Sequence, residues 1–420
     1  MDKSKQNIYC SLIGNVFEHY DKALYPCLAP VFANIFFQDG NYLKNLILSY
    51  LILITGSIAK PLSSLFFGKI GDIKGRKTVM LISLYGTCLI SFLYLFLPTY
   101  SQAGIFSTLL LITLRLFHDF FSAGETVGAC LIILESCPAK KQGFFNALFE
   151  TSTIVGYMLA FGATALLSYY EWIKTWWKGL YLIGSLFGLL TIFLRTKIQY
   201  PQSFSKAKRC TLSILRAHRW SIFFVVFSTG VSYASFYMVT SFFASYLPIV
   251  SNISASMVLG SNFLILAFDL ILTLLCGYMT LFFSNTKIFY FFSVLNILLL
   301  WPIYSSLAFC NLKNVAAAQI TLVILGVGFS ASLNPLYCSL IPKEYRFTIL
   351  AFAKAIGSQI LGVTSCSIGL YLYNQTNYVG APSFYLMGIT VISIVSFMTA
   401  QSKSRTTDTA MHDNLNQLIK

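Results

Sequence analysis

The sequence predicts an all-α integral membrane protein, with twelve transmembrane helices arranged as two six-helix bundles. Three observations carry this. Of 420 residues, 56% are hydrophobic and only 10% charged, with mean hydropathy +0.71, whereas soluble domains carry roughly 25% charged residues. Twelve stretches reach the length of about 20 mostly apolar residues that a spanning helix needs. The longest polar interruption runs from Arg195 to Arg219 and leaves six stretches on either side.

In chain order, the first stretch covers 8–36. Its apolar core is interrupted by Glu18, His19, Asp21 and Lys22, and no small-residue cleavage site follows, so it reads as a retained helix and not as a signal peptide. Stretches 43–68 and 78–98 flank the basic segment GKIGDIKGRK. Stretch 104–134 holds Arg115, His118, Asp119 and Glu125, and 143–169 and 175–195 complete the first half. After the linker come 219–248, 256–283, 287–309, 315–341, 347–374 and 379–400, then a polar tail expected to be solvated and partly disordered. The predicted organisation is a bundle over 1–195, a basic linker over 196–218, a second bundle over 219–400 and a cytoplasmic tail over 401–420. Gly156 and Gly162, Gly326 and Gly328, and Gly357 and Gly362 have spacings suited to close helix packing.

The net charge of +15 raises nucleic acid as a partner, and its placement removes that reading. With both termini in the cytoplasm, cytoplasmic segments hold 21 of the 29 Lys and Arg, including Lys69, Lys74, Arg76, Lys77 and the run from Arg195 to Arg219. The opposite side holds four (Lys44, Lys174, Lys178 and Lys313), and Lys22, Lys60, Arg115 and Lys354 lie inside the spans. This is the positive-inside bias of a chain with an even number of spans. The ten cysteines show no metal-ligand spacing. No nucleophile elbow, H-E-x-x-H or phosphate loop is present, so an enzyme, a catalytic residue, a metal and a cofactor are not expected.

Ionisable groups within spans are the informative feature. Glu18, Asp21 and Lys22 fall within an arc of about 100° on a helix. Arg115, His118, Asp119, Ser122 and Glu125 share a stripe of about 120°. Each charge costs roughly 2.5–3.5 kcal/mol at a helix centre, while an apolar residue returns only about 0.3–0.6. Such faces must line a polar interior, either as structural ion pairs or as a transport path. Lys60, Glu150, Asp269 and Lys354 extend the set.

The segment GNVFEHYDKALYPCLAPVFANIFF resembles the first helix of the metabolite:proton symporters of the major facilitator superfamily. AKPLSSLFFGKIGDIKGRK resembles their second helix and the loop that follows it. RLFHDFFSAGETVGA is similar to their fourth helix, YASFYMVTSFFASYLP to their seventh, and IPKEYRFTILAFAKAIGSQILGVT to their eleventh. The sequence departs from the family at His19, Lys22, His118, Asp119, Lys60 and Lys354. The resemblance implies the major facilitator fold and import of a small polar organic solute with a proton by alternating access. The solute would be a carboxylate-bearing metabolite or a compatible solute of the proline or betaine kind, with solute/solute exchange as the alternative.

Under that reading, Lys22, Lys60, Arg115, His118, Tyr237 and Lys354 are the candidate substrate contacts. Tyr233, Phe236, Thr240 and Ser241 flank Tyr237. Glu18, Asp21, His19, Asp119 and Glu125 are the candidate proton carriers. Gly68, Gly71, Asp72, Gly75, Arg76 and Lys77 form a cytoplasmic gate motif, whose glycines would permit a tight turn. Expected partners are the small-molecule substrate, protons and the lipid bilayer, with the protein monomeric in the bacterial inner membrane.

Overall fold

The computed structural model describes residues 3–37, 45, 48–49, 51–74, 76–122, 125–196, 212–243, 246–247, 255–309 and 312–418. Every one of the twelve apolar stretches carries helix. Span 1 is Lys3–Ile35, span 2 is Thr55–Lys74 after a 3-10 turn at Ile52–Ile54, and span 3 is Arg76–Leu93. Span 4 comprises Ile105–Ser122 and Glu125–Ser136, span 5 is Gln142–Tyr169, and span 6 is Ile173–Thr196. Span 7 is Arg219–Tyr237, continued by a π segment at Met238–Phe242, and spans 8 and 9 are Ala255–Met279 and Asn285–Ser306. Span 10 comprises Leu312–Ser330 and Leu333–Leu340. Span 11 runs through Arg346–Ile356, a π segment at Gly357–Val363, and Ser365–Thr376, and span 12 is Ala381–Leu418. Among the described residues, nine helices are long and apolar enough to cross a membrane by length and composition. The apolar parts of spans 2 and 8 are shorter, at Ile58–Phe67 and Phe263–Met279.

Two boundaries differ from expectation. Span 2 continues through Gly68, Gly71 and Asp72 to Lys74, and span 3 starts at Arg76. The first two glycines of the gate motif therefore lie inside a helix and not in a turn, because a membrane helix tolerates glycine that a soluble one resists. Gly75 lies outside the described residues. Span 12 runs on through the polar tail to Leu418, since no glycine or proline follows Gly388 to stop it.

Close contacts group Met1–Arg209 with Ser261–Leu281 as one compact unit, and Cys210–Gly260 with Phe282–Lys420 as another. Helices in the first unit show the inside-out pattern of a lipid-embedded bundle. On span 2, Ile58, Leu62 and Phe66 are exposed at four-residue spacing, while Ser63 and Ser64 are buried. Ser63 donates to the Phe120 carbonyl and Ser83 of span 3 to that of Phe121, so hydroxyls tie spans 2 and 3 to span 4. An aromatic core built from Tyr25, Phe32, Phe36, Tyr94, Trp177 and Tyr181 joins spans 1 and 6 to the 3-10 turn after span 3, with the Tyr94 and Tyr181 rings stacked at 4.1 Å. Gly156 is required by the approach of span 5 to span 1, since a Cβ there would sit 2.4 Å from the Val16 carbonyl oxygen. Gly162 meets nothing, so only one member of that expected pair packs.

In the second unit, Phe224, Phe289, Phe397 and Tyr337 form the aromatic core, with Phe224 lying 4.8 Å from Phe397 and 5.5 Å from Tyr337 between ring centroids. At the start of the π segment of span 11, Gly357 lets the backbone close on span 7. A Cβ there would lie 2.3 Å from the Val226 carbonyl oxygen.

Candidate functional site

Three groups of ionisable side chains assemble inside the first unit. On span 1, Lys22 pairs with Glu18 one helical turn away, and Glu18 is buried. The second group joins spans 1, 3 and 4. His118 Nε2 lies 2.7 Å from Asp21 Oδ2, and the Ser91 hydroxyl donates to the same carboxylate, 2.6 Å from Oδ2 and 2.8 Å from Oδ1. Gly184 of span 6 makes room for it, because a Cβ there would stand 2.7 Å from Asp21 Oδ1. His118 is 2% exposed, and its Nδ1 has no hydrogen-bond partner among the described residues.

The third group is a trio on spans 2 and 4. Arg115 grips Asp119 with two parallel bonds, Nε to Oδ2 at 3.0 Å and Nη2 to Oδ1 at 3.1 Å. Lys60 Nζ stands 3.5 Å from Asp119 Oδ1. The planar guanidinium suits this double bond, and it also lies over the Tyr25 ring at 4.8 Å. Two cations share one carboxylate here, and of the two Lys60, with a single contact at 3.5 Å, is the less constrained. A cavity of about 20 Å³, the size of a single water molecule, touches the first two groups and is lined by Glu18, Asp21, Lys22, His118, Ser122 and Thr191, among others.

His19 stands apart from these pairs. Its Nδ1 is 2.9 Å from the Asn15 carbonyl oxygen, and its ring meets Tyr157 edge-on. Glu125 opens the second helix of span 4, and its side chain lies outside the described residues, as do those of Asp72 and Arg76. Lys77 of the gate motif donates to the Thr196 carbonyl at 2.7 Å, placing a cation at the C-terminal end of span 6 where the helix dipole favours it. Asp269 accepts from Thr273 within its own helix at 3.2 Å. In the second unit, the Tyr237 carbonyl accepts from Cys366 at 3.6 Å, and its ring packs against Phe236. Lys354 donates to Asn334 Oδ1 and lies over the Tyr337 ring.

Sequence reasoning missed three residues that place these groups. Asn15 donates to the Phe149 carbonyl at 3.2 Å and to the Ser152 and Thr153 hydroxyls at 2.8 Å each, fixing span 1 on span 5. Ser91 and Gly184 are the others. Asn15 stands second in the segment that resembles the family's first helix and was open to notice, whereas one serine among many in apolar spans carries no signal.

Apolar spans closed around buried, mutually paired ionisable groups define a polytopic membrane protein of the solute-carrier class. Residues 27–365 match the model of the Major Facilitator Superfamily. The chain belongs to that family, and it is a multi-pass membrane transporter, not an enzyme. It is 25% identical over 416 residues to a putative proline/betaine transporter of Staphylococcus aureus (strain COL), covering 94% of this chain and 88% of that one. It is 23% identical to the glycine betaine/proline/ectoine/pipecolic acid transporter OusA of Dickeya dadantii, over 93% of this chain and 82% of that one. The E. coli fucose:proton symporter FucP has the same fold, with a TM-score of 0.71 at 14% identity over 94% of this chain and 98% of that one.

Proposed function

We propose that this transporter imports a small carboxylate-bearing solute together with a proton, by alternating access, with zwitterions of the proline and betaine kind as the first candidates. The observation that carries the reading is the Asp21–His118–Ser91 group beside a water-sized cavity. A carboxylate and an imidazole sharing a short contact can pass one proton between protonated and ionised forms, and a single water gives that proton a route. Glu18, His19, Asp119 and Glu125 complete the proton-handling set.

The Arg115–Asp119–Lys60 trio supplies the substrate contact. Arg115 commits two of its donors to Asp119 and orients it, and Lys60 offers the surplus charge to the solute carboxylate. Lys22, His118, Tyr237 and Lys354 are the remaining substrate contacts. The relatives' names supply the solute class, and the fucose:proton symporter supports proton coupling only by its likeness of fold. We assign residues 1–195 and 219–400 to the two bundles, 196–218 to a cytoplasmic linker and 401–420 to a cytoplasmic tail. The gate motif from Gly68 to Lys77 closes the cytoplasmic side. The protein functions as a monomer in the inner membrane.

Uptake by purified protein in proteoliposomes under an inside-alkaline pH gradient tests this. Labelled proline, glycine betaine, 2-oxoglutarate, citrate and shikimate are offered to the parent, Asp21→Asn and Arg115→Ala. The expected result is accumulation of one solute, collapsed by a protonophore and lost in both variants. Counterflow without gradient-driven accumulation in the parent would replace symport by solute/solute exchange.

A further inference from the structure

Away from the span ends, Lys354 is the one cation of the second unit, and the residues grouped in that unit include no intramembrane acid, because Asp269 of span 8 groups with the first unit. Across Cys210–Gly260 and Phe282–Ala400 the only carboxylate is Glu344. Glu344 is exposed in the turn before span 11. Lys354 lies eight residues into its helix, about 12 Å along the axis at 1.5 Å per residue. Among the described residues it makes no ion pair; it donates to the Asn334 amide oxygen and lies over the face of the Tyr337 ring, 5.6 Å from the ring centre. Lys354 is half-buried, and a charge inside a span with no counter-charge is costly and persists where a ligand completes it.

The surroundings hold the ammonium in place. Asn334 and Tyr337 are three residues apart on Leu333–Leu340 and share a helix face. The Tyr337 hydroxyl is fixed by Ser228 at 2.8 Å and Thr229 at 3.1 Å, both on span 7 and both buried. Gly357 seats span 11 against the same stretch of span 7, and the π segment that starts there displaces the helix next to Lys354. An ammonium has three N–H donors, and Asn334 takes one of them.

We propose that Lys354, held by Asn334 and Tyr337, is a carboxylate-binding subsite of the second unit, whose occupant is the carboxylate of the transported solute. This rests on the reading of the protein as a carrier of a carboxylate-bearing solute. The ammonium supplies charge-assisted hydrogen bonds to the anion, and the ring face and amide hold its direction.

The test uses the full-length protein in nanodiscs and follows its thermal unfolding midpoint. The probes are acetate, proline and glycine betaine, with prolinamide and chloride as controls, applied to the parent, Lys354→Met and Lys354→Arg. Carboxylates are expected to raise the parent's midpoint, with prolinamide and chloride having no effect. Lys354→Met is expected to raise the ligand-free midpoint, because an uncompensated charge is gone. It also raises the half-saturating carboxylate concentration at least about thirtyfold, as loss of one partner of a buried charge pair does, while Lys354→Arg keeps the response. A carboxylate response that is absent from the parent, reproduced by chloride, or unchanged in Lys354→Met overturns the subsite. Failure of gradient-driven uptake with the Lys354-dependent response intact would count against symport and leave the subsite standing.

Discussion

At the scale of single residues, Asp119 matters more to stability than either cation that meets it. Arg115 and Lys60 share its two oxygens, so removing the carboxylate leaves two positive charges facing each other in a low-dielectric interior, whereas removing Arg115 leaves Asp119 with Lys60. Breaking a buried pair from one side costs about 3–5 kcal/mol. Asp119→Ala is therefore expected to lower stability by about that much, Arg115→Ala by less, and Lys60→Met combined with Asp119→Ala to recover part of the loss. Thermal unfolding of the purified variants checks the order, and an Arg115→Ala cost above that of Asp119→Ala would remove the argument. The charges themselves were legible in the sequence, because ionisable residues are rare enough in spans to stand out. Partners one turn apart were legible too, since four-residue spacing pairs Glu18 with Lys22 and Arg115 with Asp119, as the structure has them. Partners on other spans were not: nothing in the sequence joins His118 to Asp21 across 97 positions, or marks Ser91 as the hydroxyl between them.

At the scale of elements, the first unit is held by small residues that let polar backbone and side-chain groups meet. Asn15 and Gly156 make one such seam between spans 1 and 5, and they act by different physics. Asn15 supplies hydrogen bonds to three partners across the seam, and Gly156 supplies the absence of a side chain. Asn15→Ala takes one donor from the Ser152 and Thr153 hydroxyls and from the Phe149 carbonyl, which keeps the Ser152 hydroxyl at 2.6 Å, an expected loss of about 1–3 kcal/mol. Gly156→Val forces the helices apart at a backbone oxygen, which cannot rotate away, and is expected to cost at least about 1–3 kcal/mol, as overpacking does. A midpoint unchanged in Gly156→Val, measured beside Gly162→Val as the open-space control, would show that the seam is not close-packed. Helix existence followed directly from hydropathy along all twelve stretches. Helix ends did not, because glycine punctuates a soluble chain but continues a membrane helix, which is why the turn expected over Gly68 and Gly71 is helical.

At the scale of the whole molecule, the charge distribution that orients the chain differs from the one that sets the site. Intramembrane acids all fall in the first unit, while the orienting lysines and arginines lie at the ends of spans throughout the chain. Orientation by positive charge counts the short loops and not the interior, so neutralising Lys60 or Lys354 should leave topology unchanged even where it abolishes uptake. Fusions to alkaline phosphatase, active only outside the cytoplasm, read this out. A fusion after Lys403 is expected to be inactive and one after Tyr170, between spans 5 and 6, to be active, in the parent and in Lys60→Met and Lys354→Met alike. Activity of the fusion after Lys403 in the parent would place the C-terminus outside and reverse the assignment of every loop, the basic 196–218 linker included. Activity appearing only in the Lys60 or Lys354 variant would mean that an interior cation helps to orient the chain. The surplus charge at that position would then be explained by insertion and not by a ligand. The fusion result therefore decides whether the carboxylate-contact roles of Lys60 and Lys354 still have an unexplained charge to account for.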